Sequence, residues 1–392
     1  MLLEEAAKKY SIDFSPEKIR MAIDDAVKIT KRNIIKFQDS IPSSGTYKGI
    51  YRYTTAKRHW EGGFWGGIIW LCYEATKDFK IKCYGEKIVN MISSNIIKEG
   101  LGHNDLGFYT IPSCIPMYKM QKSKLVRETM IEAANSQLSR YDKNNHILMS
   151  HDFERDGDVF TLKISVLLNA LLFNYAYIFT GNTKYKEAFL ENVDFVIKNN
   201  ITDKGEAFFF SLFDSKTGQQ EYDRVPEYAQ TERDSEKIRN YAWSMCALAI
   251  FYSMSKDKKY ADIFHKLYTY MKNLGNGNDV FYYRTVNVYD IPDTSSAAII
   301  ACALIEMIKN DNIRYTEQYA ADAAEILNTL IDKHRAKPGS NWEGLLHNAY
   351  FYKNYEDDDT DYSSLCGDYF YMEALIGSVY EHNSCWYSQD IF

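Results

Sequence analysis

The sequence predicts an all-α protein, a closed ring of six helical hairpins, (α/α)6, in a single domain spanning residues 1–392. Apolar residues recur at helical spacing from end to end, and short links separate the helical segments, which favours antiparallel neighbours. Strand-like runs are few, and seven prolines with no long Gly/Ser-rich linker leave no domain boundary. An open α-solenoid is the other arrangement of the same pattern.

The first helix takes Ser15 as its cap and Pro16 in its first turn, and runs to about Phe37. Helices are expected next near 64–78, 84–97, 107–120, 124–138 and 160–179. A second series follows near 183–199, 238–255, 258–272, 293–308, 316–333 and 367–381. In the 160–179 segment Ile164, Leu167, Leu168, Leu171, Leu172, Tyr175 and Ala176 form a broad apolar stripe. Thr180-Gly181-Asn182 then breaks the helix before its neighbour. Strand signals are confined to Ala207 to Phe213 and Val280 to Thr285. In a closed ring the loops at one end form a bowl, which the aromatic-rich links would line. The acidic run Glu356-Asp357-Asp358-Asp359 in one link reads as a solvated loop, since like charges resist burial.

Composition narrows the function. The apolar share of 46% is ample for a large core, and 32 tyrosines suit a concave site because one end packs while the hydroxyl bonds. A net charge of −7 argues against a sequence-independent grip on nucleic acid, so an anionic ligand would need its own local Arg or Lys. Met1-Leu2-Leu3-Glu4-Glu5 has no apolar core, so no signal peptide is expected, and no uncharged apolar run is long enough for a membrane span. The seven cysteines are scattered among helix-type apolar residues and read as reduced core packing in a cytoplasmic protein. No CxxC, HExxH, GxSxG or phosphate-cradling loop appears, so neither a metal nor a cofactor is expected.

The most informative stretch is His103-Asn104-Asp105-Leu106-Gly107-Phe108. A carboxylate among apolar neighbours is partly desolvated, which raises its pKa towards the range useful for proton donation. Asp105 is therefore a candidate general acid; a surface cap on the following helix is the alternative. Arg239 lies one helical turn before Trp243, so the two share a face: Arg binds carboxylates bidentately and Trp offers a flat surface to a sugar. Trp60 and Trp65 fit either sugar platforms or core. His347 fits either a substrate hydrogen bond or a structural one. Asp368 is more in keeping with a structural cap than with catalysis.

Several segments together resemble the unsaturated glucuronyl hydrolases, glycoside hydrolase family 88, from about residue 16 to 381. The markers begin with Trp60-Glu61-Gly62-Gly63-Phe64-Trp65, Trp70, Tyr73-Glu74-Ala75, Asp105-Leu106-Gly107-Phe108 and Pro112-Ser113-Cys114. They continue with Thr180-Gly181-Asn182, Tyr185, Asp214, Thr217-Gly218, Arg239, Ala242-Trp243, Asp293-Thr294-Ser295 and Ala297. Leu346-His347, Gly367-Asp368-Tyr369 and Glu373-Ala374-Leu375 complete them. Each motif is weak; their order and spacing are specific.

The resemblance implies an (α/α)6 barrel and an unusual hydrolysis of oligosaccharides that carry a terminal unsaturated uronate, as polysaccharide lyases leave them. The C4=C5 enol ether is protonated, water adds across it, and the hemiketal falls apart to release the aglycone. No attack at the anomeric carbon is involved, so the carboxylate-separation rule of ordinary glycosidases does not transfer. Asp105 matches the first of the family's two active-site aspartates. Aligned on Leu167-Leu168-Asn169, the second falls at Ser165, and a hydroxyl is too weak an acid to replace it near neutral pH. Asn104 and Phe209 stand where histidines are usual, Gly62 where an acid is frequent, and Cys366 where Trp is frequent. Among His151, Asp152, Asp156 and Asp158, just ahead of the 160–179 segment, Asp158 is the nearest substitute acid. These departures leave two alternatives open: a barrel that binds carbohydrate without turnover, and a different carbohydrate reaction on the same scaffold.

Overall fold

The computed structural model describes residues 1–54, 60–101, 103–142, 147–148, 159–214, 216–220, 238–274, 282–283, 291–310, 314–349 and 361–386. Its helices are α1 (Leu3–Tyr10), α2 (Pro16–Phe37), α3 (Gly62–Thr76), α4 (Phe79–Ile97), α5 (Leu106–Gln121), α6 (Lys124–Leu138) and α7 (Val166–Asn169). They continue as α8 (Leu171–Thr180), α9 (Thr183–Asn200), α10 (Ile238–Ser255), α11 (Lys258–Leu274), α12 (Thr294–Lys309), α13 (Thr316–Thr329) and α14 (Leu365–Val379).

An inner ring closes on itself. Helix α3 packs against α5, α5 against α7 and α8, α7 against α10, α10 against α12, α12 against α14, and α14 returns to α3. That last contact distinguishes the ring from an open solenoid. Around it, α2, α4, α6, α9, α11 and α13 each pack on an inner neighbour. The two layers are visible in the residues. All of α14 is buried, as is α3 from Gly62 to Cys72, whereas α11 buries a single stripe of Tyr260, Phe264, Leu267, Tyr268 and Met271.

Four of the inner-to-outer turns are two residues long and chemically alike. Lys77, Lys122, Gly181 and Lys256 take the left-handed conformation that ends a helix. The residue after each caps the next helix: Asp78 accepts from Lys80 N, Ser123 from Val126 N, Asn182 from Lys184 N and Asp257 from Lys259 N. The outer-to-inner connections, at the end where the inner helices begin, are longer than these turns. Described parts of these connections carry four two-stranded antiparallel sheets.

Close packing of the inner ring depends on glycine. A Cβ at Gly63 would lie 2.1 Å from Phe108 O and 2.6 Å from Tyr109 O, and one at Gly67 2.5 Å from the Tyr369 ring. Pro112 lacks the N–H that would bond Phe108 O within α5, so α5 presents a bare carbonyl where α3 approaches.

Several expectations change. Residues 159–163, expected as the start of a helix, form strand β5 (Val159–Lys163), paired with β6 (Phe210–Asp214). Val-Phe-Thr-Leu-Lys is rich in strand formers, and the partner edge decides what periodicity leaves ambiguous. The hairpin of β1 (Ile41–Tyr47) and β2 (Ile50–Thr54) was not anticipated; its turn, Lys48-Gly49, has φ of 50° and 77°. Helix α1 was also missed, and the 316–333 segment ends in a π turn, Leu330–His334. Of the run Val280 to Thr285 only Tyr282–Tyr283 is described, as a strand paired with Ile291–Pro292, and Glu356 to Asp359 lie outside the described residues. Among the described residues no helix is long and apolar enough to cross a membrane.

Candidate functional site

The inner helices begin side by side at one end of the ring, and polar residues mark these beginnings. Glu61, Asp105, Ser165, Asp293 and Ser364 stand immediately before α3, α5, α7, α12 and α14, and Arg239 is the second residue of α10. Aligned peptide dipoles at helix starts favour an anion.

Asp105 is half-buried at this end. It occupies the cap position of α5, but its side chain makes no capping bond there. Its oxygens instead accept amide N–H bonds, Oδ2 from Asn104 Nδ2 at 3.0 Å and Oδ1 from Asn169 Nδ2 at 3.0 Å. That is the bonding of a carboxylate, since both oxygens act as acceptors. Gln137 Nε2 holds the Asn104 carbonyl at 2.9 Å, and Asp105 N donates to His103 Nδ1 at 3.1 Å. Burial, reinforced by Arg140, pushes His103 down to about 4, so its imidazole is neutral at physiological pH.

Asn169 is the keystone that sequence reading missed. Its amide also donates to the Ser165 carbonyl at 3.3 Å, and its oxygen accepts from Phe108 N at 3.1 Å. One side chain thus ties Ser165, the start of α5 and Asp105 together. Gly107 makes this possible, because a Cβ there would lie 2.7 Å from the Asn169 backbone. A polar amide within the apolar run Leu167-Leu168-Asn169-Ala170-Leu171 was the available signal.

Arg239 is held before it meets any ligand. Its Nη2 donates to both oxygens of Asp293 at 3.2 Å and to Ser295 Oγ at 2.6 Å, and its side chain remains 24% exposed. Asp293 is fully buried and also accepts from the Ser295 and Ser296 hydroxyls. Trp243 shares the helix but is buried against Phe108 and Phe370, with ring centres 5.1 and 5.8 Å away.

The remaining candidates separate. Trp60 is half-buried at the mouth, 5.3 Å from the Phe108 ring. Trp65 is 2% exposed and packs towards the outer layer against Phe37 and Tyr84, so it belongs to the wall and not to a sugar platform. Ser165 is buried, with no side-chain capping bond. His347 is half-buried beside the start of α12, stacked on Trp342 at 4.0 Å and bonded to Asp361 at 2.9 Å. Asp368 is buried and structural, but not as a cap of its own helix: it accepts from Tyr51 Oη, Leu345 N and Leu346 N, and burial raises it to about 7. Ser364 is the residue that caps α14. Asp158 lies outside the described residues, as do His151, Asp152 and Asp156.

A second acid at this end went unremarked in the sequence. Glu61 is 7% exposed and accepts from the Ser44 hydroxyl. Burial, reinforced by Asp105 and opposed by Arg239, raises it to about 8. Its signal was an acid opening a helix that stays apolar for three turns. Among the described residues no three His, Cys, Asp or Glu side chains gather in an arrangement able to hold a metal ion.

No protein-family profile matches the chain. Full-length relatives do. The unsaturated chondroitin disaccharide hydrolase of Streptococcus pneumoniae strain R6 is 28% identical over 381 residues, 94% of either chain. The crystal structure of the unsaturated glucuronyl hydrolase from Streptococcus agalactiae superposes with a TM-score of 0.85 at 25% identity, over 98% of both chains. An aspartate-to-asparagine mutant of that enzyme, complexed with dGlcA-GalNAc6S, superposes with a TM-score of 0.79 at 26% identity, over 95% of this chain and 94% of its own. Sequence similarity along the whole length and a shared helical fold agree: the chain is similar from end to end to unsaturated glucuronyl hydrolases.

Proposed function

We propose that this protein hydrolyses short oligosaccharides carrying a terminal 4,5-unsaturated uronate, the products of lyase action on an acidic polysaccharide. The observation that carries the reading is Asp105, fixed by two amides where the inner helices begin. It is the acid/base group of the site, while Arg239, oriented by Asp293, is the cation for the uronate carboxylate. Trp60 offers its face to a sugar ring, and Asn104, Ser165 and His347 are polar neighbours for the hydroxyls. Protonation at C4 and addition of water at C5 give a hemiketal, which opens and releases the aglycone. The pneumococcal relative, an unsaturated chondroitin disaccharide hydrolase, and the disaccharide held by the streptococcal neighbour support this substrate class. Cytoplasmic residence is part of the proposal: all seven cysteines are free thiols, as in a reducing compartment.

The conjugated double bond absorbs in the ultraviolet, so incubation with an unsaturated chondroitin disaccharide should make that absorbance decay. Asp105→Asn should slow the decay by roughly 10²–10⁴-fold, the usual contribution of acid–base catalysis. Calorimetric binding of the same sugar by a wild-type protein that leaves the absorbance intact would favour a non-catalytic carbohydrate binder instead.

A further inference from the structure

We infer that Glu61 delivers the proton to C4 of the unsaturated uronate, while Asp105 takes the proton from the water that adds at C5. This division of labour rests on the hydrolase reading above. It places the missing acid on α3 and makes a carboxylate near Ser165 unnecessary.

The geometry comes first. Glu61 precedes α3 and Asp105 precedes α5, and these two helices are in close contact at this end. Gly63 abuts the carbonyls of Phe108 and Tyr109, and Trp60 lies on Phe108. Tyr109 N donates to Asp105 O at 3.1 Å, so the contact falls within the first turn after Asp105. Glu61 therefore sits beside Asp105, and it feels both Asp105 and Arg239. Four groups from four elements face it: the Ser44 hydroxyl on β1, Asp105 before α5, Arg239 on α10 and the Cys366 thiol on α14. Burial pushes that thiol up to about 12, so it stays neutral and adds no charge.

The two carboxyl groups differ in what surrounds them. Asp105 has an amide donor on each oxygen, which suits the charged form. Glu61 is nearly sealed from water and lies next to Asp105, which favours the protonated form, and with a value of about 8 it carries its proton at pH 7. Neighbouring acids in environments as different as these take opposite roles in proton transfer.

The step balances. The Glu61 O–H bond breaks as the C4–H bond forms, drawing the π electrons of C4=C5 to C4 and leaving an oxocarbenium ion at C5. Water bonds to C5 and gives its proton to the Asp105 carboxylate. Proton return from Asp105 to Glu61 restores the starting state, and the net change is one water added.

The test compares wild type, Glu61→Gln and Glu61→Asp on an unsaturated chondroitin disaccharide. Glu61→Gln keeps the shape and the acceptor for Ser44, yet should lower kcat by about 10²–10⁴-fold with little change in KM. Wild-type activity should fall as pH rises past about 8, a limb that Glu61→Gln should lack in its residual activity. Glu61→Asp, which retains an acid, should keep the limb and recover part of the rate; it carries the test if the glutamine variant does not fold. A wild-type minus Glu61→Gln infrared difference spectrum at pH 7 should show a protonated carboxyl stretch. Wild-type kcat in Glu61→Gln, or no such stretch, overturns the role of Glu61 alone. A wild-type protein that turns over no unsaturated uronide overturns the hydrolase reading, and this assignment with it.

Discussion

The inner helices hold buried acids at both ends, and Glu373 at one end is treated differently from Glu61 at the other. Where α3 and α14 finish, His382 lies between Glu74, at 2.9 Å, and Glu373, at 3.5 Å, and Ser384 donates to Glu373 at 2.5 Å. Although burial opposes charge, these bonds raise His382 to about 9 and hold Glu373 below the usual carboxylate range. The cluster is an ion triad that fastens the end of the chain to the ring. Where the same helices begin, Glu61 has a hydroxyl and a partly shared arginine to set against burial, and it keeps its proton. Glu373 finds its counter-charge and holds structure together, whereas Glu61, with no cation of its own and Asp105 beside it, is a candidate for chemistry.

This contrast is open to test at both ends. The largest effect is expected at the structural end. His382→Gln leaves two carboxylates without their cation and should lower stability by about 3–5 kcal/mol, read by denaturant unfolding. The pH profile of kcat/KM should not move; if it did, the two ends would not be independent. Arg239→Lys keeps the charge but loses the planar fork that Asp293 orients, so KM for the unsaturated disaccharide should rise roughly tenfold or more, about 1.4 kcal/mol, with a smaller change in kcat. Gly63→Ala forces a methyl against the Phe108 carbonyl and should lower stability by about 1–3 kcal/mol, together with kcat, since the same contact sets Glu61 beside Asp105.

The smallest effect is the most discriminating. Glu61 binds its proton more tightly in the folded protein, at about 8 against an ordinary 4.5, so it subtracts stability increasingly as pH rises through that window. Glutamine has no proton to lose. Glu61→Gln should therefore melt progressively higher than wild type from pH 5 to pH 8, with the gap growing by on the order of 1 kcal/mol per pH unit. His382 has the same sense in a higher window: its contribution is complete below 6.5 and fades as pH rises through about 9, in both proteins alike.

Much of this architecture was legible in the residues. The Lys-Asp, Lys-Ser and Gly-Asn steps that end one helix and cap the next are local chemistry, and they mark four of the inner-to-outer turns. Asp105 and Arg239 stood out because a charged residue beside aromatics is locally conspicuous. What escaped notice was decided across the ring. Strand β5 owes its form to β6, about fifty residues on, and not to its own periodicity. Asn169 looks like a lapse in a leucine stripe until α5 is set against it. Glu61 looks like an ordinary helix opener until Ser44, Asp105 and Arg239 close around it. Nor does spacing reveal that Trp65 faces the outer helices while Trp60 faces the mouth.

The central claim is that cleavage proceeds through hydration of the ring double bond, driven by acids at the site. The direct measurement sets an unsaturated uronyl disaccharide against its saturated counterpart of the same linkage and follows release of the second sugar. Rapid release from the unsaturated compound, in step with loss of its ultraviolet absorbance and with none from the saturated one, is the predicted result. Comparable cleavage of the saturated disaccharide would mean attack at the anomeric carbon and would contradict the account.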